Sequence, residues 1–221
     1  MPSPESIESL CARPRPTVTA ETLHTLHRER LPSRWFHADP HELAPRLVGA
    51  LWVIDARVLV LTEVESYGGA DDPSSHAFRG PSPRNATMFG DPGALYVYFT
   101  YGRYFCANLA AHSADQGGAI LIRSVLDITG HYLDTPALEV AVVGPARVCA
   151  YLSLGRIDDG RPYSMGPRGQ FVLPPPPEFD PSRVRSGPRI GITRAVERPY
   201  RHFDHTATVS HPRSGRTSTR T

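Results

Sequence analysis

The spacing of apolar residues changes several times along this chain, and each change marks an element. Leu43, Leu47, Val48 and Leu51 recur at helical spacing behind Asp39-Pro40, a cap followed by proline at the first helical position, so a helix is predicted to begin there. An earlier helix is predicted over residues 20–30, with Thr19 as its cap. From Leu51 the apolar residues become contiguous. Residues 51–54 and 57–65 flank the short Asp55-Ala56 turn and read as a hairpin. Strict alternation along its second strand places Val58, Val60, Thr62 and Val64 on one face and Leu59, Leu61, Glu63 and Glu65 on the other. A strand apolar on both faces is a buried one, yet this strand ends on two carboxylates. Such a break in an otherwise consistent pattern is where a site is expected.

Residues 68–92 carry no periodicity and are rich in Gly, Pro, Ser and Asp; an irregular stretch of that length in a compact domain is functional or disordered. Strands are predicted over 96–101 and 104–111, meeting in a tight turn at Gly102, then over 119–126, with a short final strand over 189–193. Gly144-Pro145 opens a helix that Gly155 is predicted to end, with Val148, Cys149 and Leu152 facing inward. The four prolines at 174–177 form an extended connector. The expected division is a disordered segment over 1–16, a single domain over 17–204 and a disordered basic tail over 205–221.

Composition narrows the function. A chain of 221 residues with 40% hydrophobic content suits one domain with a real core. No apolar run approaches the roughly 18–20 residues of a membrane span, and the N-terminus lacks a secretion signal's basic start and apolar core. Cys11, Cys106 and Cys149 are scattered, with no CxxC pair, which points to a reduced cytosol rather than a disulfide framework or zinc site. None of the ten histidines has HExxH spacing, so no metal is expected. All 24 basic residues are arginine, which closes lysine Schiff-base chemistry. The net charge of +2 is unevenly placed: 11 arginines and 16 acids precede Arg147, against 13 arginines and six acids from Arg147 onward. A solvated tail accounts for Arg213, Arg216 and Arg220. A phosphate-facing surface is the better reading for the arginines between Arg147 and Arg201.

The chemistry concentrates between Thr62 and Asn108, in Glu63-Val64-Glu65-Ser66-Tyr67, His76, Pro83-Arg84-Asn85, Met88-Phe89, Tyr96-Val97-Tyr98, Tyr101-Gly102 and Asn108. These residue types suit holding a flat polar ring and activating a water beside it. Each also has an ordinary reading: Glu65 as a salt-bridged glutamate, His76 as a structural histidine, Tyr98 as a core tyrosine, Tyr101 as a packed strand end. Arg123, closing the Leu121-Ile122 run, is costly to bury unpaired, so Glu63 or Glu65 is its expected partner. With Cys106-x-Asn108, Leu121-Ile122-Arg123, Gly144-Pro145, the 187–192 block and Pro199-Tyr200-Arg201, the blocks fall in family order. From about Leu31 to Phe203 the chain resembles the alkyladenine (3-methyladenine) DNA glycosylase family, which removes damaged purines from duplex DNA.

The resemblance implies an α+β fold, a single mixed domain with a curved antiparallel β-sheet surrounded by helices. It makes Glu65 the carboxylate that activates water and stabilises an oxocarbenium-like transition state, with Arg123 helping to place both. Tyr67, His76 and Tyr98 match the walls of the base pocket, and Asn108 the asparagine that opposes guanine's exocyclic amine. Tyr101 matches the residue inserted into the duplex, and Arg84, Arg103, Arg189 and Arg201 are candidates for DNA-backbone contacts. The implied activity is that of a monofunctional glycosylase in base excision repair, acting on alkylated or deaminated purines and leaving an abasic site. It implies double-stranded DNA with damaged purines as partner, no metal or cofactor, a monomer, and a cytoplasmic (in a bacterium, nucleoid-associated) location. A lesion-binding protein without turnover and a nucleosidase acting on free nucleosides are the alternatives; Glu65 with Arg123 argues against the first, an inserting tip and basic face against the second. The chain departs from the family at Ser66, where alanine is common, at Arg103, where methionine is common, in two extra residues around 114–118, and in Tyr200-Arg201-His202-Phe203 after Pro199, where Trp-Arg-Phe is usual. These leave the lesion preference open.

Overall fold

A computed structural model describes residues 16–113, 116–133, 139–166 and 168–210; most of both segments expected to be disordered lies outside these. Three α-helices, α1 (Ala20–Arg28), α2 (Pro40–Leu47) and α3 (Pro145–Leu152), accompany one curled antiparallel sheet of nine strands among the described residues. The strands are β1 (Leu51–Ile54), β2 (Arg57–Tyr67), β3 (Leu95–Thr100), β4 (Tyr104–Ala110), β5 (Ala119–Asp127), β6 (Val140–Val143), β7 (Gln170–Leu173), β8 (Val184–Gly187) and β9 (Arg201–Asp204). The main path runs β3-β4-β5-β2-β1-β7, with β6 on β5, and β9 between β2 and β8. No helix is long and apolar enough to cross a membrane among the described residues.

Local chemistry sets the ends of these elements. The Thr19 hydroxyl accepts from the Thr22 amide at 3.2 Å, and the Asp39 carboxylate from the His41 amide at 2.7 Å, so both predicted caps act as such. The hairpin turns β1–β2 and β3–β4 each place two residues in the left-handed region, Asp55 and Ala56 (φ 49° and 54°) and Tyr101 and Gly102 (φ 49° and 68°). That is the turn whose twist matches the flanking strands. Helix α1 stops at Arg28 rather than residue 30. Helix α3 ends at Leu152, because Ser153 adopts a left-handed conformation (φ 56°) two residues before Gly155 can. The strand expected over 189–193 does not form. Pro188 offers no amide to a ladder, and the Ile190 amide is spent on a side chain; the last strands are instead β8 and β9.

β2 is the hub, and its pairing departs from simple alternation. Its register with β5 shifts between Leu61 and Glu63 and shifts back between Glu63 and Val64, so an extra residue in β2 near Thr62 is cancelled by one in β5 at Arg123. The shift turns the strand over. Leu59, Leu61 and Val64 all enter the main core against α2 and α3, whereas Val58 and Val60 belong to a smaller cluster with α1. Glu63 and Glu65 therefore do not share a face with Leu59 and Leu61, as alternation alone had it. The paired bulges deliver both carboxylates to the opposite side of the sheet, where a cleft lies.

Candidate active site

Along β3 and β4, unbroken alternation sends Leu95, Val97, Ala107 and Leu109 into the core and Tyr96, Tyr98, Cys106 and Asn108 to the other face. β5 adds Leu121 and Arg123 to that face, and Tyr67 closes it from the end of β2. Together with the loop after β2 and the segment 190–194 they enclose a cleft of about 360 Å³.

Glu65 sits directly beneath the cleft floor and is 0% exposed. Its Oε1 accepts from the Ile190 amide at 2.7 Å and lies 3.2 Å from Arg123 Nη1; its Oε2 accepts from the Tyr67 hydroxyl at 2.8 Å. Burial pushes the Glu65 pKa above the ordinary carboxylate value, and Arg123, the Ile190 amide and Tyr67 do not cancel it. Glu63, two residues away, goes the other way. Burial opposes its ionisation too, but Arg123, the Ser210 amide and the Ser124 hydroxyl hold it below the ordinary value. Its donors are Arg123 Nε at 3.2 Å, Arg201 Nη1 at 3.1 Å, Ser124 Oγ at 2.7 Å and the Ser210 amide at 2.7 Å. Glu63 is thus a saturated structural anion. Glu65 is the carboxylate whose proton affinity burial raises, and Arg123 bridges the two.

The walls are aromatic. His76 meets Tyr98 edge-on with ring centroids 4.6 Å apart, and His76 Nδ1 lies 2.9 Å from the Tyr96 hydroxyl. Burial, then the charge of Arg84, lowers the His76 pKa, so the imidazole is neutral at pH 7. Burial likewise raises Tyr67 and Tyr98 well above the usual tyrosine value and keeps both neutral. Asn85 secures the loop carrying His76: its Nδ2 donates to the His76 and Gly80 carbonyls at 2.8 and 3.0 Å. The Asn108 Nδ2 donates to the Tyr96 carbonyl at 3.0 Å, which fixes that amide on the cleft wall. Tyr101, at the tip of the β3–β4 turn, is 81% exposed at the cleft mouth.

Glu65, Arg123, Tyr67, His76, Tyr98, Asn108 and Tyr101 are thus gathered at one place. Of the four arginines expected to meet a DNA backbone, Arg84 and Arg103 are exposed near the tip. Arg189 and Arg201 are not at the surface. The Arg189 side chain is 0% exposed and bound to Asp72 at 2.6 and 2.8 Å, and Arg201 is held by Glu63 and the Pro188 carbonyl. Charge counting along a chain does not distinguish a guanidinium facing solvent from one answering a buried carboxylate. Tyr96 was missed as a wall residue although it shares alternation parity with Tyr98. Asp72 and the Ile190 amide had no signal, since each meets its partner more than a hundred residues away. The start of the expected tail is also engaged, through the Ser210 amide on Glu63.

Residues 34–208 match the family model described as methylpurine-DNA glycosylase (MPG). The chain is 40% identical over 188 residues to a "Putative 3-methyladenine DNA glycosylase" of Frankia casuarinae, covering 79% of this chain and 89% of the relative. Relatives with the same description in Cutibacterium acnes and Burkholderia lata are 38% and 36% identical, covering 78% and 77% of this chain and 95% and 86% of theirs.

Proposed function

This chain belongs to the methylpurine-DNA glycosylase family, a family of hydrolases acting on N-glycosyl bonds in DNA, and we propose that it flips damaged purines out of the duplex and releases them with a water activated by Glu65. The observation that carries this reading is the poised carboxylate beneath an aromatic cleft, with Arg123 fixed beside it. Tyr101 enters the gap left by the flipped nucleotide, offsetting part of the few kcal/mol that unstacking costs. The base stacks among Tyr67, His76 and Tyr98, and Asn108 turns away purines bearing guanine's exocyclic amine. Glu65 takes a proton from the attacking water while its charge stabilises the developing oxocarbenium ion. Because Tyr67, Arg123 and Ile190 cover Glu65, that water must displace a donor. The Tyr67 hydroxyl, a neutral side chain rather than a backbone amide or a guanidinium, is the one to give way. Alkylated and deaminated purines are both substrates in this reading, and the product is an abasic site in an unbroken strand.

The test is single-turnover reaction of a labelled duplex carrying one hypoxanthine or ethenoadenine, with and without alkali, for the wild type and Glu65→Gln. Alkali-dependent scission by the wild type and none by the variant is the expected result. Tight binding of every lesion with no base released would make the protein a lesion binder instead. Activity on free nucleosides, indifferent to salt, would make it a nucleosidase.

A further inference from the structure

Among the described residues, the most deeply buried ion pair outside the Glu63–Arg123–Glu65 network lies just behind the cleft. Asp72, in the loop after β2, and Arg189, after β8, have side chains 0% exposed and joined by two hydrogen bonds of 2.6 and 2.8 Å. Asp72 also accepts the Gly68 and Ser74 amides, and Arg189 donates to the Ser66 carbonyl at 2.9 Å. The Arg189 guanidinium lies 4.6 Å from the centre of the Tyr67 ring. Tyr67 lines the cleft and Arg189 does not, so the cation covers the ring face turned away from the cleft.

We propose that Asp72 and Arg189 form a specificity-determining pair that acts through Tyr67 and sets the balance between positively charged and neutral purines. The proposal rests on the reading above, in which the flipped base stacks on Tyr67. A cation on one face of an aromatic ring draws on the same quadrupole that a cationic base would use on the other face, and it also repels that base directly. An N-alkylated purine in DNA such as 3-methyladenine carries a positive charge; hypoxanthine does not. Asp72, bound in two-pronged fashion, neutralises the guanidinium and leaves the ring's outer face available to a cationic base. Arginine cannot answer the loss of that partner by deprotonating. Asp72 and Arg189 are positioning residues, not catalytic ones.

The experiment measures single-turnover release of 3-methyladenine and of hypoxanthine from otherwise identical duplexes and takes the ratio of the two rates. The wild type must release base for the stacking reading to stand; release of neither base overturns that reading rather than this one. In Asp72→Asn the ratio of cationic to neutral release is expected to fall roughly three- to tenfold relative to wild type. A parallel loss of both rates, or a rise in the ratio, would show a merely structural pair and overturn the proposal. If Asp72→Asn does not fold, Arg189→Gln decides: it removes the cation nearest the ring and leaves the Asp72 anion, so the ratio is expected to rise; an unchanged or lower ratio overturns the proposal.

Discussion

The two halves of the cleft face are built by different rules. On the β3–β4 hairpin, simple alternation places Tyr96, Tyr98, Cys106 and Asn108 against the cleft and Leu95, Val97, Ala107 and Leu109 in the core. Where β2 crosses β5, alternation breaks twice, and the breaks bring Glu63, Glu65 and Arg123 together. The hairpin wall of the cleft thus follows from periodicity, whereas its chemistry depends on a compensated pair of bulges. The first arrangement tolerates change, because each hairpin residue is held by its own strand position. The second is concentrated, because one guanidinium serves two carboxylates.

The largest expected effect is at Glu65. Glu65→Gln keeps the shape and the Ile190 contact but removes the proposed general base, and single-turnover base release should fall on the order of a thousandfold. In the wild type the rate should drop as pH falls through a pKa above the ordinary carboxylate range, because burial raises Glu65. The residual rate of the variant should lack that limb. A variant that keeps the same acid limb would place the titrating group elsewhere.

Glu63 sharpens the contrast through stability rather than rate. Its folded pKa is depressed, so its contribution is present above the unfolded pKa and lost as pH falls through the folded one. Glu65 has the opposite sign: its raised pKa makes the ionised form a cost to folding, so its contribution is present at low pH and lost as pH rises through the folded value. At neutral pH Glu63→Gln should cost about 3 kcal/mol, because it leaves Arg123 and Arg201 short of a buried partner, while Glu65→Gln should leave stability unchanged or raise it. Denaturant melts at neutral and acid pH check both signs, and equal losses for the two variants would remove the distinction drawn between them.

On the walls, Tyr101→Ala should lower base release from duplex DNA by roughly ten- to a hundredfold, since in the proposed mechanism the inserted ring offsets a few kcal/mol of unstacking. Its melting temperature should not move, because the side chain is 81% exposed. The loss should shrink when the damaged base sits in a bulge or mismatch that is already partly unstacked. An equal loss on both substrates would argue against insertion.

How much of this was legible in the sequence follows the same division. The caps at Thr19 and Asp39 and both hairpins could be read from local spacing, whereas the gathering of Tyr67, His76, Tyr98, Asn108 and Tyr101 was implied by the family resemblance alone. The face on which Glu65 lies could not be read from alternation, since a bulge adds a residue without a composition signal and Thr62 looks like any strand threonine. Arg189 and Arg201 misled for a related reason. Their partners, Asp72 and Glu63, lie far away in the chain, and only closure of the sheet by β9 brings them into contact.

That difference between outward and inward arginines yields the smallest effect and the most discriminating one. Arg84 and Arg103 are exposed beside the tip that carries Tyr101, and in the proposed reading each neutralises one phosphate. Replacing either with alanine should reduce the slope of log K against log salt by about one, with little change in melting temperature. Arg189 and Arg201 already neutralise carboxylates inside the fold. Their replacement should leave the salt slope unchanged and show instead in stability, because a buried anion is left without its partner. A salt slope that responds to Arg189 or Arg201 as it does to Arg84 would mean that these ion pairs open on DNA, and the division between bracing and binding arginines would have to be redrawn.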